Sequence, residues 1–308
     1  MIGTKLAVLD GTNLFYRAYH GLIKQRFEKD GIPIWGAYGL LNTIASTCRR
    51  YRPTHLVVIF DWGKSDYRLG IWPKYKAGRP QGDAIDYDDA VAQQDVLRDL
   101  LPQLGVTTWR EEGVEADDVI AYLVDRFKGE VDEVVVVSGD KDMRQLVGRN
   151  VVVIHPSMGN KQESAWYPAE VEEHYGVTAD RLPEVWALSG DKVDNVPGVP
   201  GIGEKTAIKL IQKYGSLAGV ALSDEKKIQG YRHDMKMSYD LVRLYPELSS
   251  FPMVLEDIAF TPTSPLDKSS EKLVCSLNKL GFESLVSRFN QGTLWRERGA
   301  RLRDLKSK

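Results

Sequence analysis

Nine acidic residues in this chain have types and spacings that could hold metal ions. Asp10, Asp61 and Asp140 each close a short apolar run, in KLAVLD, HLVVIFD and EVVVVSGD. Glu115, Asp117 and Asp118 open a periodic stretch in VEADDVIAYLV. Asp142 follows Asp140 across Lys141 in SGDKD, and Asp191 and Asp194 lie three apart in GDKVDN. Glu115 and Asp118 are also three apart, so both can face one side of a helix. No His or Cys belongs to the set, and oxygen-only donors select hard divalent cations such as Mg2+ or Mn2+. Magnesium takes only one or two carboxylates directly, so nine acids imply two or more ions, with some acids acting through water. Two ions roughly 3.5–4 Å apart suit in-line displacement at phosphorus. Taken singly, each Asp is explained as a turn or cap residue, and acids in a helix's first turn by the dipole. The set carries the inference, because so many acids at one place are costly unless cations neutralise them.

Two further stretches offer groups for phosphate. Trp62–Arg79 (WGKSDYRLGIWPKYKAGR) sets Lys64, Arg68, Lys74, Lys76 and Arg79 against one acid, interleaved with Trp62, Tyr67, Trp72 and Tyr75. Cations with flat rings are the ingredients of single-strand binding; a solvated loop with packed aromatics is the plain alternative. VPGVPGIGEKTA (Val196–Ala207) places Gly198, Gly201 and Gly203 before Lys205 and Thr206 at the opening of a helix. Glycine turns allow a partner's close approach, and a helix N-terminus offers free N–H groups to phosphate. Carbonyls of such a turn could hold a monovalent cation; an ordinary inter-helix turn is the alternative. The GxxxxGK[ST] spacing is absent here, and GxGxxG is absent after the first strand, which argues against a P-loop and a dinucleotide site.

The elements that must position these groups are legible in outline. Lys5–Asp10, His55–Asp61 and Glu133–Asp140 are continuous Val/Ile-rich runs, as in strands buried on both faces of a parallel sheet. Helical stretches at Gly36–Arg50, Asp88–Leu101 and Ala116–Phe127 separate them, implying βαβ units. Val106–Trp109 and Val151–His155 read as further strands. Ligands of such sheets bind beyond the carboxyl ends of the strands, where the three aspartates fall. From Leu182 the texture becomes helical around the Gly/Pro turn, with helices expected at Glu204–Tyr214, Asp224–Leu244 and Glu271–Phe289. The expected fold is α/β with a mostly parallel central sheet: a core over 1–181, a helical region over 182–290, and a basic tail over 291–308.

Composition bounds the function. The 308 residues carry 41 Lys and Arg against 43 Asp and Glu, which at face value disfavours a nucleic-acid partner. The acids are clustered, however, and without the nine candidate ligands the balance is basic. No run of about eighteen apolar residues exists, so no spanning helix is expected, and the N-terminus turns polar too early for an export signal. Cys48 and Cys275 stand far apart outside any CxxC pattern, which fits a reducing, cytoplasmic setting.

The strings LDGTNLFYRA (Leu9–Ala18), GAYGLLN (Gly36–Asn42), FDWGKSDYR…PKYKAGRP (Phe60–Pro80), EADD, SGDKDMRQLV (Ser138–Val147) and GDKVDNVPGVPGIGEKTA (Gly190–Ala207) resemble the 5′-nucleases. That family comprises flap endonucleases and 5′→3′ exonucleases, among them phage enzymes and the N-terminal nuclease domain of bacterial DNA polymerase I. A weaker match, LGFESLVSR (Leu280–Arg288), extends the likeness over nearly the whole chain. No polymerase module follows, so the resemblance implies a free-standing enzyme. It assigns Asp10, Asp61, Glu115, Asp117 and Asp118 to a first metal cluster and Asp140, Asp142, Asp191 and Asp194 to a second. Lys76 takes the place of an active-site lysine on the scissile phosphate, with Arg79 and Arg68 as accompanying phosphate contacts. Arg17 matches a basic residue near the duplex opening, while Lys64, Lys74 and Tyr75 belong to the DNA-binding stretch. The glycine turn resembles a helix–hairpin–helix element that binds the duplex backbone and K+, and by the same resemblance Trp72–Asp95, about 72–95 in the core, would form a helical arch through which a 5′ single strand passes.

The implied activity is hydrolysis of DNA phosphodiesters at 5′ flaps and 5′ ends, leaving 5′-phosphate and 3′-hydroxyl. It serves replication, primer and flap processing and repair. The implied partner is branched or 5′-ended DNA, with RNA primers as a further substrate, met by a monomer away from membranes. The rival is a non-catalytic binder of branched DNA on the same fold, against which the complete acid set and Lys76 argue. A haloacid-dehalogenase-like phosphatase would need DxD at the first strand's end, where this chain reads Asp10, Gly11, Thr12. A small PIN-type ribonuclease would share the acids but have little use for arch or hairpin.

Overall fold

The computed structural model describes residues 3–78, 87–157, 162–268 and 270–295. Among these, β1 (Lys5–Asp10), β4 (His55–Ile59), β5 (Thr107–Trp109), β6 (Glu133–Val137), β7 (Val151–His155) and β8 (Ser164–Trp166) form one sheet, and β2 (Glu28–Lys29) and β3 (Ile32–Pro33) a small hairpin. The sheet order is β5-β4-β1-β6-β7-β8. All pairs are parallel except β7 with β8, an antiparallel edge. The twelve described helices are α1 (Gly11–Leu22), α2 (Trp35–Tyr51), α3 (Asp66–Ile71), α4 (Tyr87–Gln103), α5 (Ala116–Phe127), α6 (Pro168–Tyr175), α7 (Leu182–Ser189), α8 (Glu204–Tyr214), α9 (Leu217–Ala221), α10 (Arg232–Val242), α11 (Ser270–Lys279) and α12 (Glu283–Asn290). No described helix is long and apolar enough to cross a membrane.

Continuous apolar strands arise because both faces of the sheet are covered. Leu6, Val8, Val57, Ile59, Val134 and Val136 point into one core layer, packed by α5, α7, α8 and α10. Ala7, Leu9, Leu56, Val58, Val135 and Val137 point into the other, packed by α1, α2 and α4. This period-two division is what a strand dictates, and it requires apolar residues at every position. The same register aligns the acids. Asp10 pairs in level with Ile59 and Leu9 with Val137, so Asp61 and Asp140 both lie two residues past the level of Asp10, at one sheet edge.

Three expectations need correction. The segment 224–244 is not one helix: Gly230 takes a left-handed φ of 88°, and α10 starts only at Arg232. The chain end 271–289 is two helices, broken where Gly281 has φ 67°. Nor do those helices continue the hairpin region. Leu273, Leu277, Phe282, Leu285 and Phe289 are buried in the α1/α2/α4 layer, and Ser284 and Arg288 bond to Tyr38 and Asn42 of α2. The helical region expected over 182–290 thus divides between the two faces. Arg79, the middle of the expected arch over 79–86 and the basic tail beyond 295 lie outside the described residues; the stretch 87–95 of the expected arch is the start of α4.

Candidate active site

Asp10, Asp61, Asp140 and Asp191 are each held by a defined local structure. Asp10 caps α1: Asn13 N donates to its Oδ1 at 3.0 Å, and Ser138 Oγ donates to its Oδ2 at 2.7 Å. Asp61 Oδ1 accepts from Ala116 N at 2.8 Å, which ties the end of β4 to the start of α5. Asp140 Oδ1 accepts from Asp142 N at 2.9 Å, and Asp140 N donates to Ser138 Oγ at 3.0 Å. Asp191 Oδ1 accepts from Val193 N at 2.7 Å in a tight loop. Ser138 is fully buried and joins the first and third strand-end aspartates. It stands inside SGDKD, but nothing in its type marks it as the link.

Electrostatics sorts six of the nine acids into two groups. Burial, with Asp61 and Asp140 nearby, pushes the Asp10 carboxyl up to about 7. Burial and then Asp140 push Asp142 up to about 8, against the pull of Lys141. Asp117 is raised well above the carboxylate range by burial, Asp140 and Asp10. Removal from bulk water also raises Asp61, partly offset by Ala116 N–H and Lys76. These groups crowd one another, and like charge disfavours their ionised forms. Glu115 is the reverse: burial alone would raise it, but Lys76 and Arg68 hold it below its usual range. Asp191 is likewise held low, against burial, by Lys141 at 2.7 Å.

Lys76 stands between the groups. Its Nζ lies 2.6 Å from Glu115 Oε1 and 3.9 Å from Asp194. Its backbone has φ 55°, a conformation that costs a non-glycine residue about 1–2 kcal/mol. Its N–H donates to Asp194 O at 2.9 Å, and Asn195 Nδ2 donates to Lys74 O at 2.7 Å. The 74–76 turn is thereby strapped to the 191–195 loop.

Other expected residues are placed differently. Arg68 and Asp118 are buried at 2% and 0% exposure. They face each other as a bidentate pair at 2.5 and 2.9 Å, and Tyr245 N donates to Asp118 at 2.8 Å. In this arrangement Arg68 meets no phosphate and Asp118 has no oxygen turned to the crevice, because the pair sits inside the packing between α3, α5 and the end of α10. Tyr75 is also buried, its hydroxyl donating to Glu115 Oε2 at 3.2 Å, so its ring offers no base platform. Trp72 is tied down too, its Nε1 donating to Asn195 O at 3.0 Å. Lys64 and Lys74 are exposed. Arg17 Nη1 lies 2.9 Å from His155 Nε2, and its Nη2 donates to Pro156 O at 3.0 Å. It lines a groove of about 430 Å³ between α1 and α2.

The glycines of the turn divide as well. Gly198 is buried with φ 61°, its N–H donating to Ser238 Oγ at 3.0 Å, and a Cβ there would fall 2.7 Å from Gly190 Cα. Gly198 therefore serves packing inside the hairpin. Gly201, Gly203, Lys205 and Thr206 are exposed together where α8 begins, and nothing stands within 4 Å of a Cβ built at either glycine.

Among the described residues, no three His, Cys, Asp or Glu side chains are arranged to hold an ion as they stand. The donor chemistry nevertheless fits a hard divalent cation: the crowded carboxylates have only hydroxyl, amide and ammonium neighbours, and no imidazole or thiolate. Asp10, Asp61, Asp117, Asp140 and Asp142 would hold it.

The family models for the N-terminal resolvase-like domain and the C-terminal SAM fold of 5′-3′ exonucleases match residues 5–176 and 177–265. A 5′-3′ exonuclease of Aquifex aeolicus is 37% identical over 247 residues, 79% of this chain and 82% of its own. DNA polymerase I of Mycobacterium bovis is 39% identical over 69% of this chain, and that of Bacillus caldotenax 33% over 92%. The chain spans only 23% and 32% of those two polymerases. A structure of T5 5′-exonuclease with bound zinc superposes at TM-score 0.65, with 24% identity over 94% of this chain and 98% of that one. The catalytic core of Rad2 with DNA substrate gives 0.58 at 17% identity, over 92% and 91%. The last two likenesses concern the fold. This chain belongs to the 5′-3′ exonuclease family.

Proposed function

We propose that the chain is a structure-specific 5′ nuclease, a flap endonuclease and 5′→3′ exonuclease, that cleaves DNA phosphodiesters by a two-metal-ion mechanism. The observation that carries this is the crowding of Asp10, Asp61, Asp117, Asp140 and Asp142 at the sheet's carboxyl edge, beside the ammonium of Lys76. Mg2+ or Mn2+ bound there supplies charge for the phosphate oxygens and a water of lowered pKa. Asp10 and Asp61, fixed by backbone N–H groups, preorganise the site. Lys76 leaves Glu115 to meet the scissile phosphate, and Arg79 meets the neighbouring one, each adding charge where it develops. The exposed turn at Gly201–Thr206 grips the duplex backbone through N–H groups at the start of α8, and its carbonyls suit K+. Arg17 contacts DNA where the duplex opens, and Lys64 and Lys74 steer the displaced strand. The same reading covers 5′ flaps, 5′ ends and RNA primers, cut to 5′-phosphate and 3′-hydroxyl products in replication and repair. Free Cys48 and Cys275 support a cytoplasmic setting, and the family resemblance supports a monomer.

The test is cleavage of a duplex with a labelled 5′ single-stranded flap, with Mg2+ and with excess chelator. Mg2+-dependent incision near the junction, absent on a 3′ flap, is expected. Tight binding without a cut would overturn the catalytic reading in favour of a branched-DNA binder.

A further inference from the structure

Arg68 is closely tied into the packing beside the site. A guanidinium has five N–H donors in a fixed fork, and here it makes four hydrogen bonds and one further ion-pair contact. Nε donates to Leu241 O at 3.0 Å. Nη1 donates to Asp118 Oδ2 at 2.5 Å and lies 3.3 Å from Glu115 Oε2. Nη2 donates to Asp118 Oδ1 and to Arg243 O, both at 2.9 Å. The partners come from two places far apart in the chain: α5, which carries Glu115, and the end of α10. Tyr245 N closes the other side by donating to Asp118. About one turn before Leu241, α10 is fastened to the glycine turn, since Ser238 Oγ accepts from Gly198 N at 3.0 Å.

From this geometry we infer that Arg68 is a positioning residue: with Asp118 it locks Glu115 in place and fixes the span between the duplex-gripping turn and the acidic crevice, thereby setting where the strand is cut. The inference rests on the nuclease reading. Hydrogen bonds run from the turn through Ser238 and α10 to Arg68 and on to Asp118 of α5, and Arg68 holds Glu115, just before α5, as an ion pair at 3.3 Å. Cleavage position depends on this span because the enzyme holds the duplex at one end of it and cuts at the other. A displacement of about 1 Å in such a system can cost about a hundredfold in rate. Arg68 itself touches no substrate, since it is 2% exposed. Lysine in its place would keep the charge but offer a point donor instead of the fork, so it cannot bond α5 and α10 together.

The test uses the full chain and a 5′-flap duplex, with wild type, Arg68→Lys and the double variant Arg68→Met/Asp118→Leu. Replacing both partners of a buried pair by apolar residues often preserves folding where removing one does not. Wild-type cutting at one dominant position is the baseline; its absence would sink the nuclease reading, and this inference with it. The expected result for either folded variant is duplex affinity within about threefold of wild type and kcat reduced about tenfold or more. Products should spread over neighbouring positions, and Mn2+ affinity, read by electron paramagnetic resonance without DNA, should weaken. A folded variant that cuts at the wild-type position with kcat within about twofold overturns the inference. Should the double variant fail to fold, Arg68→Lys decides by the same criteria. Should both fail, the pair is a folding element and the inference is likewise overturned.

Discussion

Gly198 and Gly201 belong to one string and both have positive φ, at 61° and 78°, yet alanine should affect them very differently. A left-handed backbone costs a non-glycine residue about 1–2 kcal/mol, which applies to both. At Gly198 the new Cβ also falls 2.7 Å from Cα of Gly190 and closer still to its nitrogen. These are backbone atoms that cannot swing aside. Forcing a methyl into such packing costs about 1–3 kcal/mol more, and the shift would strain the bond from Gly198 N to Ser238. Gly198→Ala should therefore lose about 3 kcal/mol, and Gly201→Ala only about 1. At about 2–4 °C per kcal/mol for a chain of this size, the melting temperature should drop by roughly 6–12 °C and 2–4 °C. Differential scanning calorimetry with urea titration measures both. Duplex affinity should invert the order per unit of lost stability, because the Gly201 methyl projects into open space where the partner's backbone would come. Equal melting shifts, or a Gly201→Ala protein with undiminished duplex binding, would refute this division of the turn into a packed half and a binding half.

Three other outcomes follow from the geometry. Buried Gln93 in α4 accepts Gly36 N at 2.5 Å and Ala37 N at 3.2 Å, capping α2 where Ile34 offers no side chain. Gln93→Leu should cost about 1–3 kcal/mol in urea denaturation by leaving buried donors unmet, and an unchanged midpoint would refute the capping role. Asp10 and Asp142 titrate near 7 and 8 when folded, above their unfolded values. Folding without divalent ions is thus favoured by these groups below about pH 4 and progressively penalised up to about pH 8. Calorimetry of Mg2+ binding in buffers of different ionisation enthalpy should show roughly one to two protons released at pH 6.5 and almost none at pH 9.5; an affinity flat across that range would contradict the crowding. Exposed Lys205→Ala should leave melting unchanged while lowering the salt slope of duplex binding by about 1; an unaltered slope would place the duplex elsewhere.

How far the site was legible depended on how local its physics is. Three strand-end aspartates are readable because a buried parallel strand needs an unbroken apolar run, and the run's end marks the sheet edge. Val151–His155 matches its expected bounds for the same reason, and the helices Ala116–Phe127 and Glu204–Tyr214 match theirs because apolar periodicity is equally local. The burial of Arg68, expected as a phosphate contact, is not legible because its acceptors Leu241 and Arg243 lie more than 170 residues away, and no local pattern announces a guanidinium's burial. Tyr75 and Trp72 fit a stacking pattern by type, but their partners Glu115 and Asn195 turn them inward. Lys141 was visible between Asp140 and Asp142 in SGDKD, yet its bond to Asp191 depends on the hairpin returning to the sheet edge. The docking of α11 on α4 and of α12 on α2 is hidden in the sequence because an amphipathic helix declares that it has a partner, not which one.

A chain with net charge −2 that is to meet a polyanion must manage its acids locally. Glu115, Asp118, Asp191 and Asp194 each have a protein cation within 4 Å, supplied by Lys76, Arg68 and Lys141. The crowded acids at the strand ends lack that degree of compensation, and the raised values of Asp10, Asp117 and Asp142 express the deficit. Empty of cations, this patch repels phosphate; loaded, it attracts it. On the proposed function, cation binding and DNA binding at this edge are therefore linked, and linkage is reciprocal: whatever factor DNA adds to cation affinity, the cation adds to DNA affinity. The turn at Gly201–Thr206 lies outside the crowded set, so the duplex grip proposed for it should persist without divalent ions. That separates holding from cutting: chelation should abolish the second and leave much of the first, as expected of a site whose negative charge is concentrated at one sheet edge.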